Sequence, residues 1–249
     1  MPRKVFFSFY YDDVTRANVV RNSDVITRQY QAGVRFYDKS LWEEAKKKGP
    51  LAIKRMINGA LDGSSVTCVL IGQQTWQRPW VRYEILKSMA RGNAILGVEI
   101  HDVGFDPSVG RTTFAGLLAS PPSPVGGLFG LGSFPQQQPA TGLLASALLG
   151  SGTQAPPAPS PGPNPLRYLG YTIDRSRGMV TFHEVGSNSQ WRQNEHVDSV
   201  NLSGLPWLTS QQDADNLSSL FPVYGWKRQN GAANFPSWVE AAAAQVGRF

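Results

Sequence analysis

The segment "SSVTCVLIG", residues 64–72, is the most informative one for the fold, because it is a near-continuous run of apolar and β-branched residues. Such a run, without regular polar alternation, is typical of a strand that is covered on both faces, as in parallel sheets. Helical spacing of apolar residues is found on either side of it, in "PLAIKRMINGAL" (50–61) and "PWVRYEILKSMARG" (79–92). A buried strand between two helices predicts an α/β protein.

The rest of the first hundred residues continues this alternation. "KVFFSFY" (4–10), "VRFYD" (34–38) and "AILGVEI" (94–100) have the composition of strands, and a helix-like stretch follows the first of them to about Gln31. "LWEEAKKK" (41–48) is typical of a helix. The order βαβαβαβ predicts a mostly parallel sheet with helices on both faces, in which ligands bind at the carboxyl ends of the strands.

The composition changes after residue 104. Residues 112–166 contain no charged residue, and "GLLAS" occurs twice among many Pro, Gly, Ser, Ala and Leu residues. This bias predicts a flexible low-complexity insertion at residues 105–164, between an α/β core (1–104) and a small C-terminal appendage (165–249).

Regular structure is predicted to resume in the appendage. "YLGYTI" (168–173) and "GMVTFHEV" (178–185) alternate like the two strands of a hairpin. "SWVEAAAAQVGRF" (237–249) is typical of a helix with Ser237 as its N-cap. The region also contains four tryptophans, so we expect it to pack on the core.

The composition argues against several classes of protein. With a single cysteine, Cys68, the chain can form neither an internal disulfide nor a cysteine-based zinc cluster. No signal peptide opens the chain and no apolar run approaches the roughly 20 residues that span a bilayer, so we expect a soluble cytoplasmic protein that does not enter a membrane. The net charge of +6 comes from cations scattered at helical spacing, which disfavours nucleic acid as a partner and suits a phosphate-bearing small molecule.

One carboxylate in the predicted helix after Arg78 is a candidate for function. Trp80 and Glu84 are four residues apart and share a helix face, near the carboxyl end of the preceding strand. A solvated Glu84 that pairs with Arg82 or Lys87 fits the same periodicity. The pattern alone does not decide between the two.

Other catalytic patterns are absent from the sequence. The three histidines are far apart, no G-x-S-x-G or glycine-rich phosphate loop occurs, and we predict no metal site. A single carboxylate is sufficient for one reaction, the cleavage of the N-glycosidic bond of NAD. The leaving nicotinamide is already cationic, so the reaction mainly requires negative charge beside the oxocarbenium-like ribose.

Many segments in register resemble TIR-like proteins, and among them the TIR proteins of the Thoeris anti-phage defence system. The resemblance spans residues 3–102 and resumes at two later segments. The segments that carry it are "KVFFSFYYDD" (4–13), "RFYDKSLWEEAKKKG" (35–49), "AIKRMINGALDGSSVTCVLIGQQTW" (52–76), "RPWVRYEI" (78–85), "GNAILGVEI" (92–100), "GPNPLRYLGY" (162–171) and "FPSWV" (235–239).

The resemblance implies a flavodoxin-like TIR fold and an enzyme that uses NAD as its substrate, with no separate cofactor. In this family NAD is converted during phage infection to a cyclic ADP-ribose isomer or a related signal, which activates a partner effector. The catalytic glutamate belongs to a W-x-x-x-E motif, which here corresponds to Trp80 and Glu84. The resemblance thus implies that Glu84 is the catalytic residue and that Trp80 lies in the substrate site.

Further site residues follow from the resemblance alone. Ser8, Phe9 and Tyr10 match the end of the first strand, which lines the nucleotide pocket, although Phe9 also fits a plain core position. The residues that match the BB loop, which contacts substrate and the neighbouring subunit in TIR assemblies, are Asp38, Lys39 and Trp42. Trp42 fits equally a helix residue that packs on the sheet.

The uncharged insertion departs from the family pattern, whose corresponding segment is much shorter. The insertion does not interrupt any of the site residues. An extended apolar loop can cover a TIR interface, which affects self-association on activation, or it can recognise a phage-derived trigger. Two alternatives to the NAD-cleaving enzyme remain: a non-catalytic TIR-like signalling scaffold, and a nucleoside deoxyribosyl transferase, which also uses one glutamate on an α/β sheet.

Overall fold

The computed structural model describes residues 3–23, 25–26, 39–104, 156 and 162–248. All of them belong to one compact unit. The strand predicted at residues 34–38 lies outside the described residues, as does most of the insertion predicted at residues 105–164.

Nine strands and six α-helices are found in the described ranges. The strands are β1 (Val5–Phe9), β2 (Val66–Ile71), β3 (Ala94–Glu99), β4 (Leu169–Asp174), β5 (Met179–Val185), β6 (Trp191–Gln193), β7 (Val200–Asn201), β8 (Ala214–Asn216) and β9 (Val223–Gly225). The helices are α1 (Val14–Arg21), α2 (Lys39–Lys47), α3 (Pro50–Leu61), α4 (Pro79–Ala90), α5 (Leu217–Leu220) and α6 (Gly231–Gln245).

The central sheet has the order β1-β2-β3-β9, and each neighbouring pair is parallel. All six residues of β2 are buried. Since successive side chains of a strand point to opposite faces, both faces of the sheet are covered. The sequence therefore correctly predicted a mostly parallel α/β sheet around the stretch "SSVTCVLIG".

Two helices cover opposite faces of this sheet. Phe7 of β1 stacks on Phe235 of α6, with the ring centroids 5.9 Å apart. The next residue, Ser8, points to the other face, where its hydroxyl donates a hydrogen bond to Glu84 of α4. Thr67 of β2 also faces α4 and donates to the hydroxyl of Ser88. Helices on both faces are thus confirmed.

The last strand of the parallel sheet comes from the end of the chain. Gly97 of β3 pairs with Val223 of β9, and α6 then packs on β3 and β2. Residues 223–245 therefore complete the α/β sheet rather than extend the smaller sheet. The sequence did not predict β9, because a strand of three residues is too short to show a period.

The remaining strands form an antiparallel sheet of order β6-β5-β4-β8, with β7 paired to β5. The predicted hairpin is confirmed: β4 pairs with β5 from Leu169 opposite Glu184 to Asp174 opposite Met179. Its turn is stabilised by the carboxylate of Asp174, which accepts hydrogen bonds from the Ser176 hydroxyl and the Arg177 N–H.

The predicted N-cap of the last helix was wrong. Helix α6 begins at Gly231, with Asn230 as its N-cap residue, and Pro236 lies inside it. Ser237 is already helical, and its hydroxyl donates to the carbonyl of Asn234. Proline is tolerated early in a helix but is also the usual sign of its first turn, so the sequence placed the start too late.

Within the described ranges, no helix has both the length and the apolar character needed to cross a bilayer.

Candidate active site

The central feature of the site is a hydrogen bond between two buried side chains on different elements. Ser8 Oγ, near the end of β1, donates to Glu84 Oε2 in the second turn of α4 at 2.6 Å. Ser8 is 1% exposed and Glu84 is 4% exposed. Two residues predicted separately from the sequence are thus in direct contact, close to the carboxyl ends of the parallel strands, where ligands of such sheets bind.

Burial changes the acidity of this carboxyl group. Removal from water raises the pKa of Glu84 from 4.5 to about 8, and the hydrogen bond from Ser8 opposes that rise. The rise follows because a charged carboxylate loses more hydration than a neutral one, while a donated hydrogen bond favours the charged form. In this environment Glu84 is protonated for most of the time at neutral pH.

The alternative of a solvated Glu84 paired with Arg82 or Lys87 is wrong. Glu84 is buried, and among the described residues it takes part in no ion pair. Arg82 is engaged on another side of α4, where its Nε donates to the carbonyl of Trp76 and its Nη1 to the carbonyl of Val185, both at 2.9 Å.

Trp80 lies at the start of α4, directly after Pro79, and is partly buried against the core. Its ring meets Tyr83 edge-on, with the centroids 6.0 Å apart. The structure places Trp80 one helical turn before Glu84 on the same helix, as the W-x-x-x-E spacing requires.

Tyr10 and Phe9 lie where β1 ends, and each is close to an arginine. The guanidinium carbon of Arg78 is 3.6 Å from the centroid of the Tyr10 ring. Burial raises the pKa of the Tyr10 hydroxyl, and its hydrogen bond with Asp12 adds to the rise. Phe9 packs partly against the core, with the guanidinium of Arg21 at 6.0 Å from its ring centroid. A core position for Phe9 and a position in the substrate site both fit this placement.

The BB-loop residues are described only in part. Asp38 lies outside the described residues, while Lys39 and Trp42 are in the first turn of α2, where only the backbone is described. Their roles in substrate binding remain predictions, as do those of Trp80, Ser8, Phe9 and Tyr10.

A carboxylate that the sequence did not single out lies at the same sheet edge. Asp13 is buried and forms an ion pair with Arg16 at 3.0 Å. Its carboxylate lies against Gly72, at the end of β2, where an added Cβ would come within 2.0 Å of Asp13 Oδ2. Asp13 directly follows "FFSFYYD", so its place after a strand was visible in the sequence, whereas its burial was not.

A second group that the sequence missed joins α4 to the antiparallel sheet. Arg82 Nη1 is 3.8 Å from Glu184 Oε2 on β5, and Glu184 Oε1 also accepts a hydrogen bond from Arg192 at 2.7 Å. Beside this pair, the rings of Trp76 and Tyr168 stack with their centroids 4.7 Å apart. The helix that bears Glu84 is thereby bound to elements on both of its sides.

No cluster of three or more His, Cys, Asp or Glu side chains that could hold a metal ion is found in the described part of the chain.

The parallel sheet and the W-x-x-x-E helix define a TIR-like α/β protein. Residues 6–104 match the family model described as "Thoeris protein ThsB, TIR-like domain". The chain is also 34% identical over 241 residues to a protein of Bacillus cereus (strain MSX-D12) named "Putative cyclic ADP-D-ribose synthase ThsB1", and the match covers 96% of this chain and 100% of the relative. The chain belongs to the ThsB family of Thoeris proteins, which confirms the resemblance seen in the sequence.

Proposed function

We propose that this protein is an NAD-cleaving enzyme of anti-phage defence, which breaks the nicotinamide–ribose bond and closes the ADP-ribose into a cyclic signal. The observation that carries the proposal is the buried Ser8–Glu84 pair at the sheet edge of a TIR-like fold. The name of the Bacillus cereus relative, a cyclic ADP-D-ribose synthase, supports the same chemistry.

The reaction requires one well-placed negative charge. When the bond between ribose C1′ and the nicotinamide nitrogen breaks, the bonding electron pair stays on nicotinamide and neutralises its charge. Positive charge then develops on the ribose, and the carboxylate of Glu84 stabilises it in a site that is shielded from water. A nucleophilic atom of the same ADP-ribose then forms the new bond to C1′ and releases its proton, which gives a cyclic product; attack by water gives free ADP-ribose.

The raised pKa of Glu84 fits this role once substrate is bound. NAD brings a cationic nicotinamide ring next to the carboxyl group, and an adjacent positive charge favours the ionised form. The Ser8 hydroxyl then donates to the anion and holds it in place. Binding of the substrate thus lowers the pKa of Glu84 and generates the charge that the reaction uses.

In this proposal the cyclic product is the link to the partner effector, which needs no direct contact with this chain. Self-association of the TIR-like domain accompanies activation, and a phage-derived component is the trigger. The protein acts in the cytoplasm, where both NAD and infecting phage are found.

The test replaces Glu84 by glutamine, which has nearly the same shape but cannot ionise. Glu84→Gln is expected to lower nicotinamide release at least about a thousandfold while the fold is retained, because the charge is removed and the packing is not. Wild type and variant are incubated with NAD, with and without lysate of phage-infected cells, and nicotinamide and cyclised products are measured by mass spectrometry.

Glu44→Gln is the matched control, because Glu44 is an exposed glutamate of α2 that pairs with Lys48, just after the helix. It is expected to release nicotinamide at the wild-type rate. Undiminished release by Glu84→Gln would refute the assignment. Absence of any product from the wild-type protein under activating conditions would favour the non-catalytic scaffold.

A further inference from the structure

An arginine directly before α4 is held in a fixed position near the end of β1. The guanidinium of Arg78 lies over the ring of Tyr10, 3.6 Å from its centroid, and Arg78 Nη2 donates to the side-chain oxygen of Gln74. A guanidinium that is stacked on one face and hydrogen-bonded at one nitrogen has few rotamers left. Arg78 therefore presents its remaining N–H groups in a set direction.

The charge of Arg78 is not balanced by an acidic side chain. Among the described residues no carboxylate forms an ion pair with it; the nearby acids have other partners, since Asp13 pairs with Arg16 and Asp12 is hydrogen-bonded to Tyr10. Arg78 Nε is buried and has no hydrogen-bond partner in the described part of the chain. The outer nitrogens are the accessible part of the guanidinium, since the Nη2–Gln74 contact is exposed, and they can donate to an anionic ligand oxygen.

The backbone beside Arg78 favours the same kind of ligand. Arg78 is the residue before the first turn of α4, and its side chain does not cap that turn. Helical geometry leaves the N–H groups of Trp80 and Val81 without intrahelical acceptors, while Pro79 has none to offer. These groups add partial positive charge next to the guanidinium.

The position of Arg78 relative to the candidate catalytic pair suits a dinucleotide. Six residues separate Arg78 from Glu84 along α4, which is about 9 Å at a rise of 1.5 Å per residue. Two residues separate Tyr10 from Ser8 along β1, which is about 7 Å. In NAD a single ribose lies between the scissile glycosidic bond and the diphosphate. A diphosphate bound at Arg78 therefore places that ribose beside Glu84.

We propose that Arg78, supported by the ring of Tyr10, binds the diphosphate of the substrate. This inference rests on the proposed function and adds a substrate-binding residue to it. The fork of the guanidinium donates two hydrogen bonds to phosphate oxygens, and the first turn of α4 completes the anion site. Tyr10 then acts as the support of Arg78 rather than as a stacking partner of a substrate ring.

The test measures binding of two probes, ADP-ribose, which has the diphosphate, and adenosine, which does not. Arg78→Gln is expected to weaken ADP-ribose binding at least tenfold and to leave adenosine binding unchanged, because a charge-assisted contact to phosphate is lost. Arg78→Lys is expected to recover part of the affinity, since it keeps the charge but not the fork. Kd is measured by NMR titration of the full chain, which extends to millimolar values.

The control is Arg177→Gln, which removes an equally positive but 82% exposed side chain from the β4–β5 turn. Equal ADP-ribose affinity in Arg78→Gln and Arg177→Gln would overturn the inference, and so would parallel losses of ADP-ribose and adenosine binding in Arg78→Gln. The proposed function is tested separately by NAD turnover of the wild-type protein. Normal turnover together with an unchanged Kd in Arg78→Gln would refute the diphosphate site alone. Arg78-dependent ADP-ribose binding without turnover, even in the presence of lysate of phage-infected cells, would refute the enzyme alone.

Discussion

At Glu84 two effects on the same carboxyl group oppose each other. Burial raises its pKa and favours the neutral acid, whereas the Ser8 hydroxyl favours the anion. The net result, a pKa of about 8, is close to physiological pH, so small changes in the surroundings alter the charge of the site strongly.

In the proposed mechanism the ionised Glu84 is the reactive form, so activity is expected to rise with pH. In kcat/KM for NAD, which reports the free enzyme, the rise is expected near pH 8. Ser8→Ala removes the hydrogen bond that lowers the pKa, so the rise is expected to move to higher pH and activity at pH 7 to fall about tenfold. The measurement is a pH–rate profile between pH 6 and 10.

Ser64→Ala is the control for that profile, since Ser64 is also buried but its hydroxyl donates to the carbonyl of Leu61. It is expected to leave the midpoint where the wild type has it. A Ser8→Ala profile that coincides with the wild type would show that the contact has no effect on the protonation of Glu84.

Stability is expected to change in the opposite sense. Between the unfolded pKa of 4.5 and the folded pKa of about 8, the folded state holds a proton that the unfolded state has lost. The wild-type protein therefore loses stability from Glu84 as pH rises through this window, by on the order of a few kcal/mol in total. Glu84→Gln cannot ionise, so its Tm is expected to equal that of wild type near pH 5 and to exceed it near pH 8. Parallel Tm curves for the two proteins between pH 5 and 9 would contradict this account.

At the scale of elements, α4 is held between two sheets. One side of the helix packs on β1 and β2, through Glu84 and through Ser88, and the other is bound by Arg82 to the antiparallel sheet. The side chain of Arg82 is 14% exposed, and it donates hydrogen bonds to the backbone carbonyls of Trp76 and Val185. Removal of this arginine leaves the two carbonyls, whose hydrogen bonds are partly buried, without that donor.

Arg82→Met is therefore expected to lower the free energy of unfolding by about 2–3 kcal/mol. The carboxylate of Glu184 retains Arg192 and is not left unpaired. Arg175→Met is a matched control, because Arg175 also bridges an aspartate and two backbone carbonyls, yet its side chain is 47% exposed. Its loss is expected to cost about 1 kcal/mol or less. Urea titrations of both variants measure the free energy of unfolding. Equal decreases in the two variants would show that the Arg82 contacts stabilise the protein no more than the exposed contacts of Arg175.

The sequence predicted those elements whose pattern is long and regular. The strands at Val5–Phe9, Val66–Ile71 and Ala94–Glu99, the helix at Pro79–Ala90 and the β4–β5 hairpin are where the pattern placed them. The face of α4 that carries Glu84 was also evident, but its burial was not. Periodicity shows which side chains share a face, whereas the partner that covers them, here Ser8, comes from a distant segment.

At the scale of the whole molecule, the TIR-like segment depends on the end of the chain. The described residues of the segment 1–104 contain three strands of the parallel sheet, while β9 adds a further strand and α6 covers one face. Without α6 the apolar surface of Phe7 and its neighbours on that face is exposed to water. The segment that matches the family model is thus only part of a folding unit.

A fragment of residues 1–104 is therefore expected not to form a stable domain, because it exposes one face and the β3 edge of its sheet. Circular dichroism of the purified fragment is expected to show no cooperative thermal transition, in contrast to the full chain. The appropriate comparison is a chain in which only residues 105–155 are replaced by a short flexible linker, which is expected to melt cooperatively. A fragment that unfolds cooperatively with a Tm near that of the full chain would disprove the dependence.

The pairing of Gly97 with Val223 also bears on synthesis. A ribosome releases the chain from its N-terminal end, so Glu84 emerges long before the strand that closes the sheet. A nascent chain therefore lacks the finished sheet beneath α4 until translation is almost complete. The parallel sheet is thus completed only as the chain leaves the ribosome, whatever the order in which its other elements form.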